Sequence, residues 1–361
     1  MTPDISLGES GDRVLQISDY LSRLGLIKEL TSTFDEPLAN AVKSFQQTRG
    51  LTVSGVVDAI TLRSLEEAKW KLGDRTLALS TPLLRGDDVA QLQSQLSEMG
   101  FNCGRVDGIF GQLTEKAVQE FQKSVGVKVD GRCGPATIIS LMRLKKIVSG
   151  GTPVALREEV RRADRGPALA NKVVVIDPAQ TPELVDLAGR LEGRLIALGV
   201  NVFLTTSGIL NPDEHERIEI ANKSAPDLII SLQQDQYPNK SAHGVATYYY
   251  GSDSHGIHSI VGERFATLVQ REICARTDLL NCRTHAKTWD FLRLTKAPAV
   301  RIDLGYSSHP GDAKRIADPE FRETLVEALM VAIQRLYLSA ENDAKTGTMK
   351  VSDLRSAGLR R

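Results

Sequence analysis

The sequence predicts a multidomain chain in which two small three-helix bundles precede an α/β domain with a mostly parallel sheet flanked by helices. Three observations carry that expectation. The chain has 361 residues, more than one hydrophobic core usually serves at about 150 residues per domain. A block near the N-terminus recurs some 75 residues later. From Lys172 onward, short apolar runs alternate with helix-period segments, the pattern of a parallel sheet covered on both faces.

The repeat is read first, because internal similarity decides the architecture. Gly11-Asp12-x-Val14 returns as Gly86-Asp87-x-Val89, and Leu21 and Gly25 return as Leu96 and Gly100. After one inserted residue, Phe34, Ala41-Val42 and Phe45-Gln46 match Phe110, Ala117-Val118 and Phe121-Gln122. Gly50, Val53, Gly55, Thr61 and Leu65 match Gly126, Val129, Gly131, Thr137 and Leu141. The boundaries fall at 1–75 and 80–148. Each copy reads as three helices. Val14, Ile17, Leu21 and Leu24 sit at helical spacing, and Gly25 closes the helix in the left-handed conformation that glycine adopts without strain. Val89, Leu92, Leu96 and Met99 do the same before Gly100. Asp107-Gly108 and Asp130-Gly131 read as turns, and Pro135 suits the first turn of the last helix.

Ser149-Gly-Gly-Thr-Pro153 breaks the pattern, and 149–171 reads as a linker, with one exposed helix possible over the charged run Arg157–Arg165. The α/β domain spans 172–338. Its expected strands are Val173–Ile176, Val202–Leu204, Leu228–Ser231, Val245–Tyr249 and Val300–Asp303. Its expected helices are Leu184–Leu198, Asp213–Asn222, Val261–Arg276 and Phe321–Leu336. The remainder, 339–361, has few large apolar residues and reads as a disordered tail. Thr346 and Thr348 stand there within Lys345-Thr-Gly-Thr-Met-Lys350 as candidate phosphorylation sites. A phosphate adds nearly two negative charges and strong acceptor oxygens.

Composition narrows the function classes. The 45 basic side chains balance 45 acidic ones, which argues against a general nucleic-acid role, since that needs a basic excess. Apolar stretches such as Ala328–Ile333 are too short for membrane insertion. The first residues show no basic and apolar export pattern, so the expectation is a cytoplasmic protein. The 4 cysteines make no disulfide framework. A bridge within Cys103 and Cys133, or within Cys274 and Cys282, stays open, with free thiols favoured by the expected compartment.

Each repeat resembles the peptidoglycan-binding domain found beside bacterial wall hydrolases. The resemblance rests on Gly-Asp-x-Val, the Asp107-Gly-Ile-Phe-Gly111 turn, the Ala-Val-x-x-Phe-Gln helix and Val129-Asp-Gly131-x-x-Gly-Pro-x-Thr137. The first copy departs from it, with Ser32-Thr-Phe-Asp-Glu36 in place of the first turn and Val57-Asp58 where Gly-Pro is usual. Most of the matched residues are turn and core positions, so the resemblance speaks for the fold before it speaks for glycan binding.

The region from Lys172 to Leu338 resembles the zinc-dependent N-acetylmuramoyl-L-alanine amidases, through Val174-Val-Ile-Asp177-Pro178, Ile230-Ser231-Leu232, Gly244–Tyr249 and Leu292–Tyr306. The family's metal site is where the sequence departs. Gln180 and Gln233 stand at the two metal-histidine positions. The metal glutamate falls near Gln180 itself, because the loop is shortened, and Glu183, the nearest carboxylate, is about three residues out of register. Asp303 stands at the catalytic glutamate, one methylene shorter. A glutamine carbonyl is a feeble zinc ligand, and a hydrolytic zinc takes three protein ligands and an open position. The expectation is a pseudoenzyme with no confident catalytic residue, no metal and no cofactor. The six histidines offer no replacement at ligand spacing: His255 and His258 lie in a glycine-rich loop, and His309 follows a strand end. For Asp303, capping by nearby backbone donors is the plainest role, and for Trp289 and Tyr248–Tyr250 it is sheet packing.

Over nearly the whole chain the combination resembles the CwlM-type group of actinobacterial amidase homologues, including at Ser149-Gly-Gly, Leu191-Glu-Gly-Arg194, Thr288-Trp-Asp290 and Leu336-Tyr-Leu338. That resemblance implies a non-catalytic cytoplasmic regulator of peptidoglycan precursor synthesis. It implies phosphorylation of tail threonines by a membrane Ser/Thr kinase, and stimulation of UDP-N-acetylglucosamine enolpyruvyl transferase in that state. FHA-domain proteins and lipid II flippase components are further implied partners. Here Met349-Lys350 follows the Thr-Gly-Thr motif, which leaves open which threonine matters. The competing reading is a zinc-dependent amidase, a peptidoglycan hydrolase with glycan-binding repeats and zinc as its cofactor.

Overall fold

The computed structural model describes residues 4–145, 166–206, 212–237, 239–252 and 257–337. They form two compact units, one holding the repeats and the other the α/β domain. The linker run Arg157–Arg165, most of the loop with His255, and the tail with Thr346 and Thr348 lie outside the described residues.

The first unit contains α1 (Asp12–Arg23), α2 (Glu36–Arg49), α3 (Ala59–Ala68), α4 (Asp87–Glu98), α5 (Gln112–Val125) and α6 (Pro135–Lys145). Three helices per copy match the expectation. The apolar faces bury Val14, Ile17, Leu21, Phe34, Val42, Phe45 and Leu65 in the first copy, and Val89, Leu92, Leu96, Phe110, Val118, Phe121 and Leu141 in the second. Gly25 ends α1 with φ 74°, and the Leu26 amide donates back to the Leu21 carbonyl. Gly100 and Phe101 repeat the device on Leu96. Where the first copy lacks Gly-Pro, Asp58 caps α3 by accepting from the Thr61 amide at 2.7 Å.

The Asp-Gly turns have a specific cause. Buried Gln93 donates to Asp107 Oδ1, the Ile109 carbonyl and Thr114 Oγ1, and accepts from the Asp107 and Gly108 amides. Gln122 does the same around Asp130-Gly131, reaching Arg132 and Thr137. Gln46 clamps Ser54–Val56 and Thr61 in the first copy. The place of Gln93 is taken by Ser18 there, whose hydroxyl accepts from the Thr31 amide. The clamp on the first turn and its Asp-Gly pair are thus missing together from the first copy, while Gln46 keeps the second. The copies are joined by Arg49 of α2, which grips Asp87 at the start of α4, and by Arg75, which grips buried Asp88 and lies over Trp70.

The second unit runs β1 (Val173–Pro178), α7 (Pro182–Ile196), β2 (Asn201–Leu204), α8 (Glu214–Lys223), β3 (Leu228–Asp235), β4 (Val245–Ser252) and β5 (Ile257–His258). It continues with α9 (Ile260–Arg276), β6 (Asn281–Lys287), α10 (Asp290–Leu294), β7 (Ala299–Tyr306), α11 (Pro310–Ala317) and α12 (Pro319–Tyr337). The strand order is β2-β1-β3-β7-β4-β5, with β6 also pairing with β4. All pairs among β2, β1, β3 and β7 are parallel, and β4 is antiparallel to β7. The five expected strands are present. β6 was not expected because Asn281–Lys287 carries no apolar alternation and stays partly exposed. The short α10 and α11 fall below the length at which a helical period is visible.

Side chains alternate across a strand. Val174, Ile176, Ile230, Leu232, Val300 and Ile302 therefore share one face, in a single core with Leu187 and Leu191 of α7, Phe265 and Val269 of α9, and Leu325 and Leu329 of α12. The opposite face begins with buried Val175 and Ile229. It turns polar toward the carboxyl ends of β1, β3 and β7, where Asp177, Ser231, Gln233, Arg301 and Asp303 stand.

Candidate functional site

Sheets of this type place ligands at the carboxyl ends of their parallel strands. Register sets the positions here: Asp177 pairs with Ser231, Ser231 with Arg301, and Gln233 with Asp303. The Ala179 amide donates to the Leu232 carbonyl, which carries the β1–β3 pairing up to Gln180.

Asp177 is fully buried and saturated. Thr205 Oγ1 donates to it at 2.6 Å and Ser231 Oγ at 2.7 Å. Arg217 Nη1 reaches both its oxygens at 2.9 Å, and Arg217 also lies over the Phe291 ring. The residues that carry the family likeness here, Asp177 and Ser231, thus tie β1 to β3 and α8.

Asp303 is 2% exposed. Its partner is the Arg301 side chain, through Nε at 2.7 Å and Nη2 at 3.3 Å, and not the backbone donors expected from sequence. Burial raises the Asp303 carboxyl above its ordinary range and nearby Asp235 adds to this, while Arg301 pulls it back. Burial likewise works against the Arg301 charge, but Asp303 outweighs it and the guanidinium is held more firmly protonated than usual. Trp289 covers Arg301 at 4.8 Å and packs on Tyr248 at 4.7 Å. Burial, and then the Asp303 charge, raise the Tyr248 phenol. Burial and Asp235 push Tyr306 up to about 12.

The two glutamines are not brought together as ligands. Gln180 is exposed. The Gln233 amide donates inward to Ser231 Oγ at 3.0 Å. Glu183 lies in the first turn of α7, beyond the strand ends. The described histidines have local partners: His215 with Glu219, His258 with Glu263, His285 with the Cys282 carbonyl, and His243 stacked on His309. His309 caps α11 through Nδ1. Among the described residues no three His, Cys, Asp or Glu side chains are placed to hold a metal ion. The donor set of two amides and one carboxylate already bound to a guanidinium does not fit a hydrolytic zinc. All four cysteines are free thiols, with Cys103 and Cys133 buried.

Arg301 was legible but unused: two residues before Asp303 on a strand, it shares that residue's face. Arg217 was not, lying 40 residues from Asp177.

The family model for N-acetylmuramoyl-L-alanine amidase matches residues 183–335, and that for the putative peptidoglycan binding domain matches 10–65 and 85–141. Among solved structures, an N-acetylmuramyl-L-alanine amidase, Ami1, from Mycobacterium smegmatis aligns with 19% identity and TM-score 0.41, over 47% of this chain and 98% of that one. A spore cortex-lytic enzyme of Bacillus cereus is 44% identical over 61 residues, 17% of this chain and 24% of its own. "N-acetylmuramoyl-L-alanine amidase CwlM" of Mycobacterium tuberculosis is 40% identical over 96% of this chain and 93% of its own length. The chain belongs to the CwlM-type branch of the N-acetylmuramoyl-L-alanine amidase family, with two peptidoglycan-binding domains ahead of the amidase-like one. Among the described residues no helix is long and apolar enough to cross a membrane.

Proposed function

We propose that the protein is a non-catalytic, cytoplasmic regulator of peptidoglycan precursor synthesis that activates UDP-N-acetylglucosamine enolpyruvyl transferase when phosphorylated. The observation that carries this reading is the donor set. The metal-histidine positions hold Gln180 and Gln233, and the carboxylate at the catalytic position is committed to Arg301. Such a face has neither the ligands to hold zinc nor a free base to move a proton. The switch is assigned to Thr346 or Thr348, modified by a membrane Ser/Thr kinase and read by partners through charge-assisted hydrogen bonds. FHA-domain proteins and lipid II flippase components are candidate partners of the same kind.

A second reading, a zinc-dependent amidase, is favoured by the name of the mycobacterial relative. One set of experiments separates the two. The purified chain should hold no stoichiometric zinc and release no muropeptides, and the phosphorylated form should stimulate the transferase in a way that replacing Thr346 and Thr348 by alanine abolishes. About one tightly held zinc per chain, with muropeptide release lost in Asp303→Ala, establishes the amidase instead.

A further inference from the structure

We infer that Lys287, framed by Trp289 and the outer N–H groups of Arg301, is a binding site for a phosphoryl group, a role apart from the question of catalysis. Residues opposite one another in a sheet share a face. Arg301, Tyr248 and His285 are register partners across β7, β4 and β6, and Lys287, two residues after His285, shares their face. Lys287 pairs with Tyr250, and Tyr249 with Val300, so Lys287 stands level with Ala299 at the start of β7. Asp303 is four residues farther along that strand, about 13 Å at the rise of an extended chain. Asp235, the partner of Tyr306, is farther still. The site is therefore distinct from the Gln233–Asp303 pair.

Positive charge and hydrogen-bond donors gather there without matching acceptors. Two cations meet on one indole: the Lys287 ammonium lies 5.5 Å and the Arg301 guanidinium 4.8 Å from the centre of the Trp289 ring. The Lys287 ammonium is also 5.9 Å from the Tyr248 ring. β6 carries Arg283, His285 and Lys287 and no acidic residue. Among the described residues no carboxylate pairs with Lys287, and neither its ammonium nor the Trp289 indole N–H donates a hydrogen bond. Burial lowers the Lys287 ammonium below its ordinary value, with no neighbouring charge to offset it. Aromatic faces return only part of what a desolvated ammonium loses. An anion alongside supplies the rest.

What Arg301 has already committed selects the anion. A carboxylate is best held by two parallel N–H groups of one guanidinium, and the Nε and Nη2 groups of Arg301 are taken by Asp303. An ammonium acting as a point charge remains, with single N–H donors around it. A phosphoryl group, with its strong acceptor oxygens, accepts such donors from several directions, which a planar carboxylate does not.

The test uses the full chain and inorganic phosphate, titrated calorimetrically with ionic strength held constant by chloride so that screening does not change. One phosphate per chain should bind saturably. Lys287→Gln should weaken it by at least about tenfold, the scale of a hydrogen bond to a charged group, while Lys287→Arg keeps most of the affinity. Lys287→Met serves as a second neutral side chain should the glutamine variant fail to fold. Neutral variants that bind phosphate as the parent does overturn the inference and leave Lys287 a packing residue. Acetate binding as tightly as phosphate, or no saturable binding at all, also overturns it. A nucleoside diphosphate and a phosphothreonine peptide present the same group on two carriers. The one that binds more tightly than inorganic phosphate identifies the source, and equal affinity makes free phosphate the ligand. None of these results touches the non-catalytic reading, which falls only if the unmodified chain itself holds zinc.

Discussion

Two side chains show how much one residue can do here. Arg217 supplies the only guanidinium on the Asp177 carboxylate among the described contacts, and that carboxylate is fully buried. Removing one partner of such a pair strands the other in a medium that solvates it poorly. Arg217→Met should therefore lower unfolding stability by about 3–5 kcal/mol, read from denaturant titration, and a loss below about 1 kcal/mol would show that Thr205 and Ser231 suffice. Cys133 makes a second point. Burial, with a smaller push from the Asp88 charge, raises its thiol to about 12. At pH 8 only about one thiol in ten thousand is then a thiolate, the reactive form. In the folded chain Cys133 should be alkylated last of the four cysteines, by peptide mapping over time, and labelling as fast as Cys282 contradicts its burial. The sequence showed neither of these environments. It placed Cys133 near a turn, and nothing linked Asp177 to a residue in a helix one strand later, because side-chain pairing across elements leaves no periodic trace.

At the level of elements, turns and long helices were legible and their fastenings were not. Gly25, Gly100 and Pro135 marked their helix ends correctly, since backbone conformation is a local property. The glutamines that fix the Asp-Gly turns belong to helices several residues away, and a glutamine on a helix usually means only a polar face. Gln122→Ala removes a side chain making five hydrogen bonds to one loop and its following helix. It should cost about 3 kcal/mol, several net bonds at about 1 kcal/mol each, with increased amide exchange confined to residues 128–137. Undisturbed exchange there means that the turn stands without its clamp. The α7–α12 contact gives a pH dependence. Burial raises the Asp186 carboxyl, but hydrogen bonds and charge from Arg190 and Arg322 outweigh it and hold it below its ordinary value. The folded state thus favours the ionised form. Its contribution is complete above the ordinary carboxyl range and is lost as pH falls through the depressed folded value. Parent and Asp186→Asn should differ in stability at pH 7 and converge toward pH 2, and a constant gap across that range refutes the assignment. The weakest reading concerned β6, whose polar composition hid a strand that only pairing with β4 explains.

For the molecule as a whole, the duplicated helical modules and the α/β domain that the sequence announced are both present, in that order. The sequence did not show that the two repeats form one compact unit. Consecutive aspartates at the start of α4 each take an arginine from the preceding repeat or the segment after it, Arg49 on Asp87 and Arg75 on Asp88. Acidic residues also suit a helix N-terminus electrostatically, so both effects favour the same charges. Replacing Asp87 and Asp88 by asparagine should split the repeats' calorimetric transition into two, or broaden it markedly. A single sharp transition at the parent temperature would indicate that apolar packing alone joins the copies. The sheet shows a similar division of labour. One face is a continuous apolar core with three helices, while the other ends in Asp177 and Asp303, each matched to an arginine.

The 361 residues include 2 tryptophans, and each unit has one, lying against an arginine: Trp70 under Arg75 at 4.4 Å and Trp289 under Arg301 at 4.8 Å. A charge held at a fixed distance from an indole ring shifts the energy of its excited state, so each unit carries its own fluorophore tuned by the ion pair beside it. Substituting phenylalanine for either tryptophan leaves the other as a single-site emitter. The colour of Trp289 emission then becomes an optical gauge of whether Arg301 is still seated on Asp303, readable in solution without label or ligand.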